Sequence, residues 1–466
     1  MASKDRLRVA GAALAAAVVE LDWLAVNVAL PQIAHDLNES QTDLQWVVTA
    51  FVVAFSGVLP VAGWALDALG RRRMLLWAIG LFLGGSLVCA LAMSSAWLIT
   101  GRAVQGVAAA VAAPGALALM SEQMQGAKRD RAVIKVFAAA GVGIALGPLL
   151  GGLFVDTVGW RSVFFIAWPA ALTAGWLIYR HSFDPGPTGD TPRPPLVGML
   201  CVTTGVVLLT VTIDRGTSWG WTSPATLTST AAALVLLGSF AVTERDERRS
   251  VLSRRVYRER KLLLLTAAGA TSVVGFILLF TLTAMYLRNS VGLSGLMTGC
   301  VLLAFSVPYA IASYLAGRLR SGKEAYRPVT VALVSGAAGL AGLSMASFPA
   351  LYLACLVVCG IGLGTTAALL TLLVQRHTRP GDSGKVTSTN LAMKYFVAAV
   401  ANTVSATVLE GIHGTPHGAE SDAGAIDILM RGTACVVLVG ALLLLPEARR
   451  TGRVAAAAEK EQGRPP

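Results

Sequence analysis

Uninterrupted apolar runs of about twenty residues recur along the chain, and their length constrains the fold more than any other feature of the sequence. An α-helix rises about 1.5 Å per residue and needs about 20 residues to cross a hydrocarbon core of about 30 Å, whereas a barrel strand needs about half as many. The runs therefore predict transmembrane helices at 9–30, 44–66, 74–93, 97–120, 132–155 and 160–179. Two shorter ones follow at 196–213 and 225–242, then six more at 262–287, 296–315, 329–345, 351–374, 386–409 and 428–445. This six, two, six pattern predicts an all-α integral membrane protein of 14 transmembrane helices. Its parts are an N-terminal six-helix bundle (1–183), two extra helices with a charged connector (184–261), a C-terminal six-helix bundle (262–446) and a tail (447–466).

The first run follows Lys4, Arg6 and Arg8, as in a signal peptide, but it is too long and, with Glu20 and Asp22, too polar for a cleaved segment. Composition agrees with a lipid environment: 55% of residues are hydrophobic and 14% charged, where soluble domains carry about a quarter. The net charge of +12 has no folded basic module to display it, which excludes nucleic acid as a partner. The basic residues sit instead between the runs. Of 38 Lys and Arg, all but Arg102, Arg161, Arg215, Arg288, Lys394 and Arg431 fall on one side once both termini are placed in the cytoplasm.

Several chemistries are not expected. The cysteines Cys89, Cys201, Cys300, Cys355, Cys359 and Cys435 lie in apolar segments and read as packing residues, not as disulfides or metal ligands. His413 and His417, with Glu420 and Asp422 nearby, sit in a loop without a rigid frame and read as solvated surface, so no metal is expected. No phosphate-binding Gly-Lys-Ser/Thr loop is present, and neither ATP nor any cofactor is expected.

Four motifs stand out. Leu21-Asp22 and Asn27-Val28-Ala29-Leu30-Pro31 lie on the first span; Gly63-Trp64-Ala65-Leu66-Asp67-Ala68-Leu69-Gly70-Arg71-Arg72-Arg73 joins the second to the third. Arg102, Gln105 and Gly106 lie on the fourth, and Gly143, Gly147, Pro148, Gly151 and Gly152 on the fifth. Together they resemble the major facilitator superfamily, and within it the fourteen-span branch of drug:proton antiporters. The resemblance implies the major facilitator fold, with a substrate site between the two bundles. The second half departs from it: Gly317-Arg318-Leu319 is only a remnant of the loop motif, lacking its acidic residue, and Lys394 lies in a segment where the branch usually shows arginine and glycines.

An intramembrane carboxylate costs about 2.5 to 3.5 kcal/mol on insertion scales, so Asp22 and Glu20 are functional candidates. Two residues apart, they lie about 200° around one helix and cannot both face one cavity. Geometry leaves the choice open. The resemblance chooses Asp22 as the one that faces the cavity and couples protons; Arg102 reaches Asp22 or snorkels to the interface. Gly143, Gly147 and Gly151 make a groove for a close helix neighbour, and the resemblance implies that it seals one side of the cavity in an exchanger. The resemblance also implies that Asp67, with Gly63, Gly70 and Arg71, meets a helix N-terminus across the bundle interface. Its arginines serve equally as orientation signals.

Thr387, Asn390, Lys394, Asn402 and Ser405 fall within about a 120° arc and form a polar stripe that faces the cavity or a neighbouring helix. Asn27, Gln105, Asn390, Lys394 and Asn402 are the candidate cavity residues. Few acids and two bases in the spans point to neutral or weakly anionic cargo. The expected function is proton-coupled export of hydrophobic small molecules by a monomer in a bacterial plasma membrane. A proton-coupled importer, a non-transporting sensor and a membrane-embedded enzyme are the alternatives.

Overall fold

The computed structural model describes residues 3–39, 41–183, 195–245, 251–316, 326–346, 348–378, 383–413 and 419–462. The loop-motif remnant at 317–319 and His417 lie outside the described residues. The first six long helices are α1 (Ser3–Leu37), α2 (Gln41–Leu69), α3 (Arg71–Ala90), α4 (Ser95–Gln123), α5 (Gly126–Thr157) and α6 (Trp160–His181). The next two are α7 (Leu196–Trp219) and α8 (Pro224–Thr243). The last six are α9 (Arg260–Met285), α10 (Gly295–Leu315), α11 (Tyr326–Leu343), α12 (Pro349–Arg376), α13 (Ser383–His413) and α14 (Ala419–Gln462).

Twelve helices among the described residues are long and apolar enough to cross a membrane. The other two long helices, α11 and α13, stand where sequence predicts spans 329–345 and 386–409. The first is short and begins on Tyr326, Arg327 and Pro328; the second carries the polar stripe. Helix α14 runs on through Pro446 into the predicted tail, to Gln462.

The two sets of six pack by the same scheme. In the first, α1 lies on α5 and α6, and α4 lies on α2 and α3; in the second, α9 lies on α13 and α14, and α12 lies on α10 and α11. The bundles meet through α5 on α10 and α2 on α13, in each case the fifth helix of one set on the second of the other. Each bundle has its own apolar core, around Phe51, Leu66, Leu75 and Met120 in one and Phe280, Phe305, Leu340 and Leu363 in the other. The outer faces expose Trp77, Leu234, Val331, Ile428 and Leu442, which lipid rather than water would cover. The extra pair, α7 and α8, pack on each other, and α7 leans on α2 and α13 at the rim of the bundle interface.

Candidate functional site

Asp22 on α1 and Arg102 on α4 come together inside the N-terminal bundle, 1% and 0% exposed. Arg102 Nη1 donates to Asp22 Oδ2 at 2.5 Å and to Gln105 Oε1 at 3.0 Å, and Gln105 Nε2 donates to Asp22 Oδ1 at 3.1 Å. Arg102 Nε also donates to the carbonyl of Val47 at 3.2 Å, and its guanidinium lies 4.4 Å from the centroid of the Phe51 ring. Gln105 Nε2 reaches Ser86 Oγ, which donates to the carbonyl of Phe164. Small residues admit this network: a Cβ on Gly85 would lie 2.9 Å from Gln105 Cγ. The snorkelling alternative for Arg102 is thereby excluded in this conformation, and Gln105 belongs to the network, not to the cavity wall.

The carboxylate that faces the space between the bundles is Glu20, not Asp22. A cavity of about 360 Å³ opens there, lined by Trp23, Asn27 and Val52 of the first bundle and Phe276, Phe280 and Asn402 of the second. Deeper in the protein it continues into smaller chambers of about 90 and 80 Å³ that Glu20 and Tyr395 line. Lys394 and Tyr309 border the second of these. The rotation of α1 that makes this choice is fixed by its contact with α5. A Cβ on Gly147 would lie 2.8 Å from the carbonyl of Leu21, one on Gly151 2.7 Å from that of Ala25, and one on Gly143 would run into that of Ala17. Pro148 and Gly152 face the other way, to Gly299 and Leu296 of α10. The glycine motif thus seats α1 on one side, and its remaining two residues join the bundle interface.

At the end of the molecule that carries the chain termini, the bundles are bridged. Asp67 of α2 accepts hydrogen bonds from the backbone N–H groups of Gly384 (2.9 Å) and Lys385 (2.8 Å) in the first turn of α13. Arg71, itself bonded to Glu122, donates to Asp67 at 2.8 Å. Gly63 lets α13 approach, since a Cβ there would lie 2.8 Å from Ser388 Cβ, and Gly70 adopts φ 92° where α3 begins. Residues that the sequence does not single out complete this closure. Ser121 donates to Gln375 at 2.8 Å, Arg129 donates to the carbonyl of Gln375, and Arg376 pairs with Asp130. Their signal is faint, a lone glutamine at the end of an apolar helix and charges that pass for orientation signals.

The polar stripe of α13 divides. Gln375 Nε2 donates to Thr387 at 2.6 Å and Asn390 donates to Thr266 at 2.7 Å, so these two are buried between helices. Lys394 and Asn402 line the cavities, and Asn402 accepts a bond from Thr281 at 3.3 Å.

Residues 12–402 match the sequence model of the Major Facilitator Superfamily. The chain is 30% identical over 398 residues to "Multidrug resistance protein Stp" of Mycobacterium tuberculosis, covering 85% of this chain and 73% of that one. It is 32% identical over 448 residues to "Puromycin resistance protein pur8" of Streptomyces alboniger, covering 92% and 87%. Among solved structures, the human organic anion transporter MFSD10 (TETRAN) superposes with a TM-score of 0.67 at 15% identity, over 95% of this chain and 100% of that one, a likeness of fold alone.

Proposed function

Since the chain belongs to the major facilitator superfamily and is a multi-pass membrane transporter rather than an enzyme, we propose that it exports hydrophobic drugs or antibiotics in exchange for protons. The observation that carries the proton-coupling part is the buried Asp22–Arg102 pair. Protonating Asp22 removes the charge that holds Arg102, and with it the reason for α1 and α4 to keep this contact. A proton arriving at Asp22 therefore loosens a helix whose opposite face lines the cargo cavity. The cavity, about 360 Å³ and lined mostly by apolar residues such as Trp23, Val52, Phe276 and Phe280, lies within the size range of small-molecule sites.

We assign both termini to the cytoplasm of a bacterium's plasma membrane, from the one-sided Lys and Arg, and count α11 and α13 as spans, which gives fourteen. The chain then divides at 183, 261 and 446 as its sequence proposes, and works as a monomer with small-molecule cargo and protons as its partners. In this orientation the conformation is closed toward the cytoplasm. The test has two parts. Cells with the protein should survive puromycin or other toxic compounds better than cells without it. Purified protein in vesicles should release its pH gradient when a transported compound is added, and Asp22→Asn should not. Uptake that increases with expression would favour the importer reading and overturn this one.

A further inference from the structure

Glu20 and Lys394 come from different bundles and border the same chamber of about 80 Å³. Neither has a hydrogen bond or ion pair to another described residue, although Lys394 is 4% exposed. The lysine is built in: a Cβ at Gly269 would run into its Cε and would lie 2.8 Å from its Nζ, so the side chain runs over bare backbone of α9. Tyr309, 8% exposed and likewise without a hydrogen bond to a described residue, borders the chamber too. The other lining residues are mostly apolar, among them Phe276, Leu363 and Leu370, beside Ser272, Thr371 and Tyr395. An acid and a base are therefore held at the floor of an apolar cavity, close enough to share a chamber and too far apart to satisfy each other. Buried charges are normally paired, and here the partner is missing.

We propose that this chamber is a recognition site for the polar end of the cargo, and that the end it fits carries an ammonium and a carboxylate on neighbouring atoms. The cargo class is then an amphipathic zwitterion, its ammonium at Glu20, its carboxylate at Lys394 and its apolar body against Trp23, Phe276 and Phe280 in the larger cavity. Such a molecule is electrically neutral overall, so it supplies both missing partners without adding net charge to the site. A site built around charged partners discriminates against analogues that lack one, because the abandoned group stays buried and unpaired. The inference rests on the reading of the inter-bundle cavity as the cargo site.

Four fluorescent probes with one dansyl body and one tether length test it by binding to purified full-length protein. Dansyl-cadaverine ends in an amine, dansyl-aminohexanoate in a carboxylate, Nε-dansyl-lysine in both, and N-pentyl dansylamide in neither. Nε-dansyl-lysine should bind at least about tenfold more tightly than the pentyl amide. Glu20→Gln should remove the advantage that an amine confers and keep that of a carboxylate, and Lys394→Met should do the reverse. Each affinity is compared with that of the neutral probe on the same variant, so a loss of folded protein cannot imitate the pattern. Equal affinities for the four probes on the unmodified protein, no binding at all, or equal loss of every probe in both variants would overturn the proposal. Export is read separately, from proton exchange driven by the neutral probe, so failure of the transport reading and failure of this one leave different records.

Discussion

At the scale of single residues, the two carboxylates of α1 face opposite ways, Asp22 to Arg102 and Glu20 to the inter-bundle chambers, and the proposed mechanism gives each its own work. Asp22→Asn is expected to abolish cargo-dependent proton release, measured with a pH dye in detergent or vesicles, while Glu20→Gln keeps it and alters cargo affinity. A dead Glu20→Gln beside an active Asp22→Asn would reverse the assignment. Removing one partner of a buried ion pair strands the other and costs about 3 to 5 kcal/mol, whereas replacing both with groups of similar shape is close to neutral. Arg102→Met should therefore melt earlier in detergent than the Asp22→Asn, Arg102→Met double variant, a result that simple loss of side-chain packing would not give. The pairing of Asp22 with Arg102 was legible in the sequence through the motif that each belongs to. Which carboxylate faces the cavity was not, because a 200° separation leaves the helix free to turn as a whole. Carbonyl-to-glycine contacts between α1 and α5 fix that turn, and they are made between segments over a hundred residues apart.

At the scale of helices, close approach is set by missing side chains. A valine at Gly147 would press on the backbone of α1 at Leu21 and on Leu24 Cβ, neither of which can swing aside. Overpacking of this kind costs about 1 to 3 kcal/mol, small against the insertion of a whole bundle. Gly147→Val should therefore reach the membrane at normal levels and lose exchange; unchanged transport would leave the motif without a role. The contact of Asp67 with the first turn of α13 is weaker, about 0.3 to 1 kcal/mol for an exposed charge at a helix N-terminus and up to about 2 when partly buried. Asp67→Asn should shift the population toward opening at the terminus-bearing end. A cysteine at Ser121, in a background without native cysteines, should then react with a thiol reagent about 2- to 30-fold faster, since about 1.4 kcal/mol is a factor of ten. Sequence shows the acid and the glycine of this joint but not its completion by Ser121, Gln375, Asp130 and Arg376, which are unremarkable until two bundles bring them together.

At the scale of the whole molecule, the six, two, six order of long helices was readable because run length is a property of the chain itself. The reciprocal pairing of α5 with α10 and of α2 with α13 was not, since the halves share packing far more than motif. If one proton or more enters for each neutral molecule exported, positive charge moves inward, and each charge gains about 2.3 kcal/mol per 100 mV of membrane potential. Collapsing the potential with valinomycin and potassium at a fixed pH gradient should therefore slow export of a neutral or zwitterionic cargo. Export that stays fully active without the potential but stops without sodium would remove the proton from the mechanism. One feature of the fold bears on how such a cycle could be tuned. Glu20 and Asp22 are separated by a single residue on a helix that is keyed into α5 by three glycines, so in the proposed mechanism cargo and proton would act on two faces of one shaft. Selection that reshapes the cargo face of α1 by turning the helix would also misalign the proton face. Changes of cargo preference should therefore accumulate first on α9, α10 and α13, where the opposite wall can vary without disturbing the ion pair.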